Sequence, residues 1–296
     1  MTAPVIVGVD GSAGSAAALR WAAEAAAMRG TRLVIVHAIS ADASPIHEPE
    51  IVDTAALLDE AARTACDVAA LDEVETLIRD EPILDCLLSL SRNAALIVVG
   101  AMKMHAVSPP ESLAKRLASR AASPVVVVPA GFHTTATLDG RPPHVAAGVL
   151  PAAPERHVLG YAADEAALRH VTLKVIACAG ATPVSSEGGG VSKPLPTVAR
   201  QLLAEVAATH PSLQIDLSVT AEAPDTVLLA AGREASLLVV GNSHAARTSS
   251  ATTGPITSAL LDALPCPVAV IGPHNPAMVR FWDSVASRVS KPNALD

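Results

Sequence analysis

The chain of 296 residues repeats itself. Val5-Ile-Val-Gly-Val-Asp-Gly-Ser12 returns, weakened, as Val145-Ala-Ala-Gly-Val-Leu-Pro-Ala152. Leu33-Val-Ile-Val-His-Ala38 returns as Leu173-Lys-Val-Ile-Ala-Cys178. Ala95-Leu-Ile-Val-Val-Gly100 returns as Ser236-Leu-Leu-Val-Val-Gly241, and Ser123-Pro-Val-Val-Val-Val128 as Cys266-Pro-Val-Ala-Val-Ile271. Each match falls 140 to 143 positions after its original, and the order is kept. One offset of that size means tandem duplication of a whole domain, and it excludes an array built on a period of about 20–50 residues. The chain has room for two domains of about 150 residues, and at 50% hydrophobic content it can fill two cores.

Each copy alternates strand and helix. In the first, residues 4–10 form an apolar strand. Ser12 or Ser15 caps an Ala-rich helix that reaches about Met28 and stops at Gly30. A second strand covers 32–38, residues 52–70 have helical composition, and Val74 to Arg79 form a third strand. Pro82 opens a helix over 83–92, Leu96 to Val99 is strand four, and a long loop leads to a helix near 112–121 and strand five at 125–128. The second copy places its strands near 145–149, 172–178, 214–220, 237–240 and 268–271. Strands apolar on both faces and separated by helices predict a parallel sheet covered on both sides, a doubly wound α/β sandwich. Residues 131–143 are the linker, 183–196 a loop, and the tail after Pro273 a short helix docked through Phe281-Trp282. The expected units are thus 1–131, 144–273 and a tail over 274–296. Val125–Val128 and Val268–Ile271 are edges that need covering, which predicts that the halves pair through them as a pseudo-dimer within the chain.

Composition excludes several function classes. Aromatic residues are 2% of the chain and the net charge is −8, which argues against nucleic acid as a partner. The longest apolar runs are strand-sized, short of the ~18 residues a bilayer span needs, so no membrane role is expected. Met-Thr-Ala-Pro leads directly into a strand, which predicts no signal peptide and a cytoplasmic location. Cys66, Cys86, Cys178 and Cys266 lie far apart, without metal-ligand spacing, and are expected as small core hydrophobes in a reducing compartment. Asp59-Glu60 and Asp72-Glu73 are expected as solvated faces.

In an open parallel sheet a ligand sits beyond the carboxyl ends of the strands, where the strand order reverses. Strand one ends there in Asp10-Gly11-Ser12. A carboxylate at that place accepts from ribose hydroxyls or an adenine amino group, and Gly11 lets the chain turn. Strand four ends at Gly100, where loop N–H groups and the next helix N-terminus would take phosphate.

The Gly-Val-Asp-Gly-Ser start, the Val-His-Ala strand end, the Val-Val-Gly strand and the Ser-Pro-Val-Val-Val-Val close together resemble the universal stress protein family in its tandem form, over residues 3–130 and 144–272. The resemblance implies two flavodoxin-like (adenine nucleotide alpha hydrolase-like) three-layer α/β/α domains with five-stranded parallel sheets. It also implies ATP as ligand, with Mg²⁺ only in company with ATP. The family loop after strand four runs Gly, two residues, Gly, nine residues, Gly, then Ser or Thr. Here the first half keeps Asp10 and Gly100 but has Lys103 and Leu113 for the later glycines, with Glu111-Ser112 in place of the final Gly-Ser. The second half keeps Gly241 and Gly254, has His244 for the middle glycine and Pro255 for the hydroxyl residue, and Thr257 falls on a later hydroxyl position. There Leu150 replaces the aspartate. The candidate nucleotide set is therefore Asp10, Gly11, Ser12, His37, Ala38, Gly100, Lys103, Ser112, Gly241, His244, Gly254 and Thr257.

Each has a plainer role as well. Asp10 binds nucleotide or caps its turn. Lys103 and His105 are point charges toward phosphate, and Lys103 has the alternative of a solvated loop lysine. His37 lines the pocket or is a hydrogen-bonded structural histidine, and His244 binds an anion or marks decay of the loop. Gly188-Gly189-Gly190 lacks P-loop spacing, Gly8, Gly11 and Gly14 lack the dinucleotide fingerprint, and no Gly-x-Ser-x-Gly elbow surrounds Ser12. The expected function is a non-catalytic stress-response regulator with weak adenine-nucleotide binding. The alternative is a scaffold or interaction protein that has lost the nucleotide, and a slow ATP hydrolase ranks last because no residue pair offers a base.

Overall fold

The computed structural model describes residues 2–39, 53–101, 112–133, 142–149, 156–178, 195–242 and 253–272. The first copy runs β1 (Val5–Gly8), α1 (Ala13–Arg29), β2 (Leu33–Ala38), α2 (Thr54–Val68), β3 (Val74–Arg79), α3 (Ile83–Leu90), β4 (Leu96–Gly100), α4 (Leu113–Arg120) and β5 (Val125–Val128). The second runs β6 (His144–Val149), α5 (Arg156–Leu168), β7 (Thr172–Cys178), α6 (Leu195–Thr209), β8 (Ile215–Thr220), α7 (Pro224–Gly232), β9 (Leu237–Gly241), α8 (Pro255–Ala263) and β10 (Val268–Ile271).

Both copies have the flavodoxin-like order, three-two-one-four-five, with every neighbouring pair parallel. The copies join where β10 pairs antiparallel to β5, with Val268 opposite Val127 and Val270 opposite Val125, giving one ten-stranded sheet. Strand five carries four consecutive valines with both faces buried, so without a partner its ladder groups and side chains would stand open to water. One apolar layer combines α1, α2, α5 and α6 with one sheet face, and a second combines α3, α4, α7 and α8 with the other.

Local chemistry explains the boundaries. Ser12 is the cap of α1, its side chain accepting from Ser15 N–H, and Gly30 ends the helix in the left-handed region at φ 56. Asp53 caps α2 by accepting from Ala55 and Ala56 N–H. The first strand is shorter than residues 4–10, because its ladder ends at Gly8 and only Val9 N–H continues, to Val36 O. Cys86, Cys178 and Cys266 are buried, but Cys66 on α2 is exposed: the amphipathic helix presents that position to solvent, which corrects its expected place in the core. Asp59, Glu60, Asp72 and Glu73 are exposed. Most of the 183–196 loop lies outside the described residues, as do most of the linker, Gly188 to Gly190 and the Phe281-Trp282 tail; α6 begins at Leu195, just inside the loop's expected end. Among the described residues, no helix is long and apolar enough to cross a membrane.

Candidate functional site

β1 lies between β2 and β4, so its carboxyl end is the point where strand order reverses. Gly8 is level with Val36 and Val7 with Val98, which brings Asp10, Ala38 and Gly100 to one rim. The turn after β1 is tightly bonded. Asp10 Oδ1 accepts from Ser12 N–H at 2.9 Å, and Asp10 N–H donates to Ser15 Oγ at 3.3 Å. Ser15 Oγ donates to Ser12 O at 3.0 Å, and Ser15 N–H to Ser12 Oγ at 3.1 Å. Gly11 sits at φ +79, a backbone conformation that a side chain would strain. Asp10 therefore caps its own turn and still stands exposed at the rim. Burial pushes its carboxyl upward, but hydrogen bonds from Ser12 and Ser15 outweigh that and hold it below the ordinary value, ionised at neutral pH.

His37, at the end of β2, has Nδ1 2.8 Å from Val9 O. A carbonyl only accepts, so Nδ1 carries a proton and the ring ties β2 to the end of β1. Gly100 ends β4 against the first turn of α1. A Cβ there would meet Gly14 C at 2.2 Å, and one on Gly14 would meet Ala101 O at 2.4 Å. That approach sets the point from which the chain leaves β4. Ser112 caps α4, its hydroxyl accepting from Lys115 N–H at 3.3 Å. Lys103 and His105 lie outside the described residues.

The second rim is built differently. Gly241 ends β9, and Gly254 caps α8 through its backbone alone, with Pro255 following. Thr257 is 3% exposed, and its hydroxyl donates to Gly241 O at 2.9 Å, so its one proton is already committed. The spacing did not single out Asn242, which is also 3% exposed. Its Oδ1 accepts from Gly254 N–H at 3.3 Å, while its Nδ2 donates to Ala118 O in α4, across the seam, at 3.4 Å. Thr253 Oγ1 crosses the same way, donating to Lys115 O at 2.9 Å. The only signal in the sequence was the place of Asn242 directly after Gly241, at a strand end. His244 and Leu150 lie outside the described residues. Among the described residues there is no group of three or more His, Cys, Asp or Glu side chains that could hold a metal.

The first rim thus offers an ionised acceptor on a preorganised turn, and the second is wired into the junction between the copies. The universal stress protein family model matches residues 1–129 and again 144–272, and the chain belongs to that family. It is similar to a universal stress protein of Mycolicibacterium smegmatis, 28% identical over 294 residues, covering 91% of this chain and 97% of that one. It is also similar to Universal stress protein Rv3134c of Mycobacterium tuberculosis, 30% identical over 249 residues, covering 82% and 89%. Among solved structures, a universal stress protein from Archaeoglobus fulgidus aligns with TM-score 0.63 at 14% identity, covering 91% of this chain and 96% of that one.

Proposed function

We propose that this chain is a non-catalytic stress-response regulator that takes an adenine nucleotide, weakly, at the first rim. The observation that carries this reading is Asp10: an ionised, exposed carboxylate at the strand-order reversal, on a turn held by Ser12 and Ser15. It would accept from ribose hydroxyls or from an adenine amino group, with Gly11, His37, Ala38 and Gly100 around it. Lys103 and Ser112 belong to the phosphate end, where ATP would bring Mg²⁺ with it. The lost loop glycines keep the affinity low, since each removes a close backbone approach or forces strain of about 1–3 kcal/mol. Gly241, His244, Gly254 and Thr257 make the second half the poorer site. The spent hydroxyl of Thr257 and the bridging amide of Asn242 favour, for that half, a role in interaction rather than in ligand binding.

Calorimetric titration with ATP, ADP and AMP, with and without Mg²⁺, tests the reading. A ligand at 100 times its Kd also adds about 2.7 kcal/mol of stability. Heat and a raised Tm support a nucleotide-responsive regulator. No response to any of the three leaves the scaffold reading in its place.

A further inference from the structure

The residues that meet where the two copies join are not equivalent. The repeat offset carries Trp21 onto Tyr161, Ala25 onto Glu165 and Arg29 onto Arg169. Both arginines converge on the one carboxylate. Arg29 Nη2 donates to Glu165 Oε1, and Arg169 Nη2 lies 3.2 Å from Oε2. The Glu165 side chain is 0% exposed, and those of Arg29 and Arg169 are 14% and 12%. Arg169 also stacks on Trp21 of the other copy, 5.0 Å from the ring centre. Ala25 stands where the repeat would put a second carboxylate.

The opposite face of the sheet follows the same rule. Lys115 Nζ on α4 lies 2.7 Å from Asp262 on α8. Matching the helix ends, Ala121 with Leu264, makes Ser258 the counterpart of Lys115 and Ser119 the counterpart of Asp262. Here too the carboxylate comes from the second copy and the cation that meets it across the seam from the first. The strands between them are apolar on both sides and cannot discriminate.

We propose that these two relationships form a charge code for pairing. The first copy's seam accepts a surface with carboxylates at the places of Glu165 and Asp262, which is the second copy of this same chain. It rejects the first copy of another molecule. Two first copies face to face would bury two Arg29 guanidiniums beside Ala25 and set Lys115 against Ser119. A buried charge without its partner is strongly unfavourable, and unpaired charge is a standard means of excluding wrong partners. This inference rests on the fold alone and stands or falls apart from nucleotide binding.

The test uses the full chain. Glu165→Ala should lower Tm by about 10 °C. Adding Ala25→Glu moves the carboxylate to the equivalent place on the other copy and should restore most of the loss. On the other face, Lys115→Asp and Asp262→Lys should each lower Tm, and the double exchange should recover it. If Ala25→Glu does not fold, the second cycle decides. In an isotope-mixed sample of the unaltered chain, an amine crosslinker should give no link between Lys115 of two molecules. An unchanged Tm in Glu165→Ala, additive losses in the cycles, or an intermolecular Lys115–Lys115 link overturns the code.

Discussion

Gly14 and Gly100 touch backbone to backbone: a Cβ on Gly100 would stand 2.3 Å from Gly14 O and 2.6 Å from Ser15 N. No side-chain rotation relieves such a clash, since every atom involved belongs to the main chain. Gly100→Ala should therefore destabilise by about 2–4 kcal/mol, as overpacking at a rigid site does. At Gly30, where a Cβ meets nothing within 4 Å, Gly→Ala has only the left-handed backbone to contend with and should lose about 1–3 kcal/mol. Urea midpoints of the two variants give the comparison. A Gly100→Ala protein as stable as the parent would mean that α1 and β4 can separate at little expense.

Asp10→Ala should weaken adenine-nucleotide binding tenfold to a hundredfold, because hydrogen bonds to a charged group contribute about 1.5–3 kcal/mol. The fold should survive, since Ser12 still caps α1. Titration calorimetry measures the affinity and circular dichroism the fold. Equal affinity in parent and variant removes Asp10 from the site.

His144 opens β6 and is 4% exposed. Burial and the Lys174 charge hold its imidazole below the ordinary value, against a weaker upward pull from the Pro142 backbone. As pH falls, the unfolded chain takes up that proton first. Stability is thus intact above about pH 6.5 and drops as pH descends toward the lower folded value. His144→Gln should flatten that part of the curve, read as urea midpoints between about pH 7.5 and 5. Parallel curves for parent and variant would contradict this.

The cysteines should separate cleanly under a thiol reagent. Burial pushes the Cys266 thiol up to about 12 and, with the Glu81 charge, the Cys86 thiol up to about 11; burial raises Cys178 as well. Cys66 is exposed. Only thiolates react, so native protein near pH 8 should label at Cys66 alone, and denatured protein at all four. Fast labelling of Cys266 in the native state would mean that the α8 layer opens readily.

Much of this architecture was legible because its signals are local. Strand runs such as Leu33–Val36 and Val125–Val128 need no partner to be recognised, and Ser12 and Gly30 mark the ends of α1 through their own chemistry. The repeat also identified β5 and β10 as pairing edges, since four apolar positions in a row cannot face water. What escaped depends on distance along the chain. Asn242 takes its meaning from Ala118, and Glu165 from Arg29, 136 positions earlier. With Arg169 four residues on, Glu165 looks like an ordinary helix-face ion pair until Arg29 arrives beside it. Thr257 matched a motif position, yet in the folded chain its hydroxyl turns inward to Gly241. Cys66 shows the converse error, a residue type that favours interiors on the outer side of an amphipathic helix. Lys103 and His244 lie outside the described residues.

Because β10 runs against β5, the two rims open toward opposite half-spaces. Asp10 and Asn242 therefore stand at opposite edges of the one sheet. The chain is a two-headed strut with unlike heads. Between them the copies are fastened on both faces of the β5–β10 ladder, by Glu165 on one side and by Asn242, Thr253 and Lys115 on the other.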